Sequence, residues 1–170
     1  MMIHVCSLAR LYSTVEETGA RHVVTLLGAD DFIERPSTVP ADNNLFLRMH
    51  DISEPLEGHV APDVAHVEDL LTFVRGWDRA APLVVHCWAG ISRSTAAAFV
   101  SVCALEPARD ERAVAWAIRR ASPTATPNIR IVRFADAMLR RDGRMVAAIE
   151  SIGRGELADE GVPFRLPLIA

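Results

Sequence analysis

The run Leu83-Val84-Val85-His86-Cys87-Trp88-Ala89-Gly90-Ile91-Ser92-Arg93-Ser94-Thr95 begins apolar, turns through a cysteine and a glycine, and ends on an arginine and two hydroxyl residues. Its first three residues read as a strand buried on both faces. Cys87 and Arg93 bracket five residues, a length that lets the chain curl into a ring with its backbone N–H groups inward. Gly90 supplies the conformational freedom such a ring needs. No Gly or Pro interrupts Ser92 to Leu105. A helix is predicted there, and its N-terminus turns a positive dipole end on the same ring. Strand, amide-lined ring and helix in that order predict an α/β fold with an anion site at the strand's end.

Outward from that run, Ile3 to Cys6, Val23 to Leu27 and Leu45 to Met49 are further short apolar segments separated by helical or turn-rich sequence. They predict a central, mostly parallel sheet of about four to five strands flanked by helices, with a helical C-terminal half. Ser13 and Thr14 precede Glu16 and Glu17 by three residues, the spacing of a capping box, and Gly19 closes that helix. Pro62 and Asp63 open a second helix, with Val64, Val67, Leu70, Leu71 and Val74 on one face. Asp110 caps a helix bearing Val114, Ala117, Ile118 and Ala121, and Pro123 to Pro127 break the pattern before a helix from Asn128 to Arg140. Arg144 to Ile152 is helical again. The Gly- and Pro-containing remainder predicts a single domain over residues 1–152 and a poorly anchored tail over 153–170.

A Cys and an Arg six positions apart arise by chance about 0.3 times in a chain with 3 Cys and 18 Lys+Arg in 170 residues. Cys103 and Arg109 are such a pair. Glu106 and Pro107 lie between them, a repelling carboxylate and a residue without N–H where amides must face an anion. At Cys87 every subsidiary requirement is met.

Composition narrows the class. Half the residues are hydrophobic and mean hydropathy is +0.17, consistent with one globular core. The three Cys form no CxxC pair, which argues against zinc and against a secreted disulfide framework. A net charge of −4 opposes a nucleic-acid or anionic-membrane partner. All 18 basic residues are Arg, which removes Schiff-base and Walker-type lysine chemistry. The opening M-M-I-H-V-C lacks a basic n-region and a long apolar stretch, so a cytoplasmic protein is expected. His4, His22, His50, His59 and His66 show no ligand spacing; neither metal nor cofactor is expected.

The pattern H-C-x-x-G-x-x-R-S, carried by His86, Cys87, Gly90, Arg93 and Ser94, resembles the signature of the cysteine-dependent protein tyrosine phosphatases. From Ile3 to about Arg141 the chain is most similar to their small dual-specificity branch and its compact bacterial relatives. The resemblance implies a phosphomonoester hydrolase acting on a phosphorylated protein or a small phosphomonoester, with phosphotyrosine first and phosphoserine or phosphothreonine next. Cys87, as thiolate at a helix N-terminus, would attack phosphorus and form a cysteinyl-phosphate. Arg93 would grip two oxygens through its planar fork, and the amides of Trp88, Ala89, Gly90, Ile91, Ser92 and Arg93 would hold the remaining charge. Ser94 would donate to the departing sulfur.

Such chemistry needs a general acid, and Asp51 is the candidate. It heads a polar loop after the strand Leu45 to Met49, where the resembling family carries its acid, with a few extra residues before the nucleophile. Glu54 and Glu57 rival it on the same loop. His86 either orders the ring through a backbone hydrogen bond or is a satisfied core imidazole. Asn128 resembles a family residue that braces the ring, and equally suits a helix N-cap. Arg130 and Arg133 suit a pocket rim or a solvated face. Trp88 has no assigned side-chain role. The loop interior W-A-G-I-S lacks basic groups, which disfavours lipid polyphosphates. Two other classes stay open: sulfur transfer or arsenate reduction, the latter with Cys6 or Cys103 as resolving thiol, and a non-catalytic phosphoresidue-binding module. The sequence leaves the oligomeric state open.

Overall fold

The four apolar runs are parallel strands: β1 (Met2–Ser7), β2 (His22–Leu27), β3 (Asn44–Arg48) and β4 (Leu83–Cys87). In the computed structural model, which describes residues 1–169, they join an antiparallel edge strand β5 (Phe164–Pro167) in the order β3-β2-β4-β1-β5. The expected mostly parallel α/β sheet is therefore present. Every residue of β2 and β4 is buried, as required of strands covered on both faces.

Strand alternation sorts the core into two layers. Ile3, Val5, Leu83, Val85 and Cys87 face the larger cluster, which α2 (Val64–Gly76), α3 (Arg93–Leu105), α4 (Glu111–Ala121), α5 (Ile129–Met138) and α6 (Arg144–Ile152) complete. Cys6, Val23 and Val84 face the opposite side, with Leu11 and Val15 of α1 (Leu11–Thr18). The central helix α3, apolar nearly all round and buried through Cys103, touches α2, α4, α5 and the sheet. At its far end the Arg141 guanidinium donates to Cys103 O at 2.8 Å, Pro107 O at 3.0 Å and Glu111 Oε1 at 2.9 Å. That charge is paired and hydrogen-bonded where it is buried, the condition under which burial is tolerated.

Most predicted caps are in place. Asp63 forms a reciprocal capping box with His66, Asp110 accepts from Ala113 N, and Gly19 ends α1 at φ +67°. The box expected at Ser13 and Thr14 does not form. A turn of 3-10 helix, Leu8–Arg10, starts the coil early and leaves both residues inside α1. Ser13 Oγ and Thr18 Oγ1 instead bond to carbonyls three and four residues back.

The poorly anchored tail is also corrected. Past α6 the chain crosses behind the Cys87 loop and enters the sheet, pairing Ile3 with Leu166 and Val5 with Phe164. Gly155 N–H donates to Thr126 Oγ1 at 3.0 Å, and Glu156 N–H to Pro123 O at 3.0 Å. Leu166 and Leu168 are buried, each contributing about 1.5–3 kcal/mol relative to exposure. Pro167 lies on the edge strand, where a missing N–H is tolerated. Among the described residues no helix is long and apolar enough to cross a membrane.

Candidate active site

β4 delivers Cys87 to the C-terminal edge of the sheet, and α3 begins at Arg93. Between them the chain closes as the predicted ring. Gly90 sits at φ +72°, and a Cβ there would stand 2.8 Å from Cys6 C and Ser7 N, so both conformation and space demand glycine. The ring's carbonyls are engaged from outside. Leu8 N–H bonds to Trp88 O (3.1 Å), Gly161 N–H to Ala89 O (2.8 Å), Thr126 N–H to Ile91 O (2.9 Å) and Asn128 N–H to Ser92 O (3.2 Å). Among the described residues, the amides of Trp88 to Ser92 have no protein acceptor. Outward carbonyls and free amides are the pattern of an anion-binding nest.

The expected side chains converge on this ring. Cys87 is 2% exposed, and its Sγ lies 3.1 Å from Ser94 Oγ. Arg93 is 5% exposed; Nη1 donates to Met49 O at 2.7 Å, while Nε is buried without a partner. A buried cationic donor left unsatisfied is costly unless an anion completes it. Asp51 reaches the far end of the ring, where its Oδ1 accepts from Ser92 Oγ at 2.7 Å and Asn128 Nδ2 at 2.9 Å.

Asn128 is the N-cap of α5, and its side chain also reaches the Asp51 loop. Its Oδ1 caps α5 by accepting from Arg130 N and Ile131 N, and its Nδ2 reaches Asp51 and Ile52 O. Neither Glu54 nor Glu57 bonds to the ring. Glu54 pairs at 3.5 Å with Arg133, both exposed, a contact worth at most a few tenths of a kcal/mol. Arg130 is drawn aside: Nε donates to Pro62 O at 2.6 Å, and the guanidinium lies over the Phe134 ring.

His86 turns away from the ring's interior. It is wholly buried on the α1 side of β4, its Nε2 2.8 Å from Thr25 Oγ1 and its Nδ1 without a well-formed hydrogen bond. Its imidazole bonds to Thr25 on that face, and the Cys87 backbone beside it is its link to the ring. Burial pulls its pKa down to about 4; the Cys87 backbone opposes that shift and the Arg93 charge adds to it. A neutral core histidine makes stability depend on pH. Above about pH 6.5 it is uncharged folded or unfolded; between about 6.5 and 4 only the unfolded chain takes the proton. Stability should fall across that window by up to about 3 kcal/mol for this one group. Burial lowers the pKa values of His4 and His22 in the same sense. Urea titrations at pH 7 and pH 4.5 test this: His86→Gln should lose less stability on acidification than the parent, and an equal loss would contradict the assignment.

The other thiols are remote in orientation or position. Cys6 registers with His86, so it points to the face opposite Cys87. Cys103 lies within α3, and its partner in spacing, Arg109, is salt-bridged to Glu106 at 2.7 Å. Burial pushes both thiols up to about 12, with a Thr14 hydrogen bond opposing at Cys6 and Arg141 opposing at Cys103. Sequence reasoning missed Thr25 behind His86, the Met49 carbonyl on Arg93, and Asp31, whose Oδ2 accepts from Trp88 Nε1 at 2.9 Å. It also missed Glu160, which accepts from Ser7 Oγ at 2.5 Å beside the ring. All are long-range contacts with no motif of their own.

The parallel sheet with a cysteine ring between its central strand and buried helix matches the fold of solved dual-specificity-type phosphatase structures. In particular, it is similar to DUSP15 (TM-score 0.64, 17% identity, 88% of this chain and 89% of that one). It is similar also to the Yvh1 phosphatase domain from Chaetomium thermophilum (0.63, 17%, 84% and 93%). PTPMT1 in complex with PI(5)P superposes at 0.59 with 15% identity, over 84% of this chain and 89% of that one. No protein-family sequence model matches the chain, and no curated protein matches it significantly.

Proposed function

We propose that this chain is a phosphomonoester hydrolase of the protein tyrosine or dual-specificity kind, working through a cysteinyl-phosphate and needing no metal. The observation that carries the reading is a ring that opens at Cys87 and ends at Arg93, with amides that have no protein acceptor and a buried, unpartnered Arg93 Nε. The Cys87 thiolate attacks phosphorus in line while the bond to the ester oxygen breaks. Arg93 and the amides hold the equatorial oxygens, and Asp51 gives the leaving oxygen its proton. Water then attacks phosphorus and passes a proton to Asp51. The sulfur–phosphorus bond breaks with Ser94 hydrogen-bonded to the departing thiolate, and inorganic phosphate leaves.

Several features favour a phosphate monoester over the alternatives. A reductase needs a second thiol at the site, and Cys6 faces the other side of the sheet. A sulfur carrier has no use for a carboxylate hydrogen-bonded to the ring. The PTPMT1 complex raises a lipid headgroup as substrate, yet Trp88 to Ser92 include no cationic side chain to bind a second phosphate.

The direct test is phosphate release from an aryl phosphate by purified protein with chelator present. Release supports the reading. Anion binding without release would instead favour a non-catalytic phosphoresidue-binding module. Arg93→Lys sharpens the test, because lysine keeps the charge but loses the fork. It should raise KM and lower kcat by roughly 10²- to 10³-fold, the scale for removing one preorganised donor. A lysine variant with parental kinetics would make Arg93 structural only.

A further inference from the structure

Trp88 is 55% exposed, although tryptophan is the residue with most to gain from burial. Its backbone belongs to the ring, through Leu8 N–H on its carbonyl, so its position one residue past Cys87 is fixed. Its indole is fixed as well. Nε1 donates to Asp31 Oδ2 at 2.9 Å, and the same oxygen accepts Gly28 N–H at 2.7 Å. Arg48 Nη1 donates to the carbonyls of Ala29 and Asp31, both at 3.0 Å, which ties down the segment carrying that carboxylate. An exposed aromatic held in one orientation by a purpose-placed acceptor is not a packing residue. Its ordering entropy is lost on folding, before any ligand arrives.

Trp88 opens the ring, and Ser92, bonded to Asp51, closes it. A phosphate seated on the ring with its ester oxygen toward Asp51 places its organic group beside the mouth that these two residues border. We propose that Trp88 is the aromatic wall of the substrate pocket, held in position by Asp31, and that it gives the site a preference for aryl over alkyl phosphate monoesters. An indole face suits a phenyl ring, in offset or edge-to-face contact, better than a short alkyl chain. The Asp31 carboxylate beside it repels a polyanionic headgroup. The proposal rests on the phosphatase reading for its substrate and deepens it toward phosphotyrosine.

The test pairs turnover with binding that needs no turnover. Kinetics are measured on phosphotyrosine and phosphoserine, and calorimetry on phenylphosphonate and methylphosphonate. Trp88→Ala should raise KM for phosphotyrosine about tenfold more than it raises KM for phosphoserine, the scale of one aromatic contact. The parent should bind phenylphosphonate more tightly than methylphosphonate, and Trp88→Ala should erase that difference. Trp88→Phe should recover most of it. Asp31→Ala should lose part of the preference through a mobile indole, while Asp31→Asn, which keeps an acceptor, restores it. Equal parental affinity for the two phosphonates, or equal weakening of both by Trp88→Ala, would overturn the wall even if phosphate is released. Discrimination between the phosphonates without any phosphate release would leave the wall standing and remove the hydrolase.

Discussion

Cys87→Ser is expected to lower kcat for phosphate release on the order of 10⁶-fold, the scale seen when a covalent nucleophile is removed, while binding of inorganic phosphate persists. The two effects separate because they belong to different groups. In the proposed site the anion would be held by ring amides and Arg93, and none of these is altered by exchanging sulfur for oxygen at a residue 2% exposed. A serine hydroxyl in that place has no adjacent base, since His86 faces Thr25 on the other side of the strand. Cys103→Ser, in the other Cys–Arg pair, should leave kcat unchanged, because Cys103 is buried inside α3 and remains protonated. Single-turnover assays and phosphate calorimetry on both variants provide the check. A Cys87→Ser protein that still turns over would remove the thiolate from the mechanism.

Asp51→Asn should lower kcat on alkyl and poorly activated aryl phosphates by roughly 10²- to 10⁴-fold, the range of general acid catalysis. Its geometry makes this a clean substitution. Oδ1 accepts both Ser92 Oγ and Asn128 Nδ2, leaving Oδ2 to carry the proton. An asparagine oxygen can keep both bonds while the amide cannot supply the proton, so the ring brace survives and the acid does not. The loss should shrink when the leaving group is a strongly acidic phenol that needs no proton. A parental rate in Asp51→Asn, with the loss appearing instead on Glu54→Gln or Glu57→Gln, would move the acid along the loop.

The local course of the chain was legible in the sequence, and contacts between distant segments were not. The strand before Cys87 and the glycine inside the ring follow from constraints within about a dozen neighbouring residues, and the structure keeps them. The α1 cap failed because capping boxes mark potential starts only; the 3-10 turn at Leu8–Arg10 began the coil first. Asp51 was placeable by its loop, but what distinguishes it from Glu54 is a pair of hydrogen bonds to Ser92 and to Asn128, the latter 77 residues away. β5 was missed although a signal existed. Phe164, Leu166 and Leu168 alternate inward while Arg165 and Pro167 point out, a period of two obscured by the surrounding Gly and Pro.

That last strand has a consequence in time. The ring is braced at Ala89 by Gly161, and Ser7 beside it holds Glu160, 153 residues distant in the chain. Contacts of such long span form slowly and only after their far partner exists. During synthesis, Cys87 and Arg93 emerge long before β5 can pair with β1, so a nascent chain holds both residues without the last support of the ring that aligns them. The brace on Ala89 can thus form only once the chain through Gly161 exists, which ties that part of the ring to the segment that leads into β5.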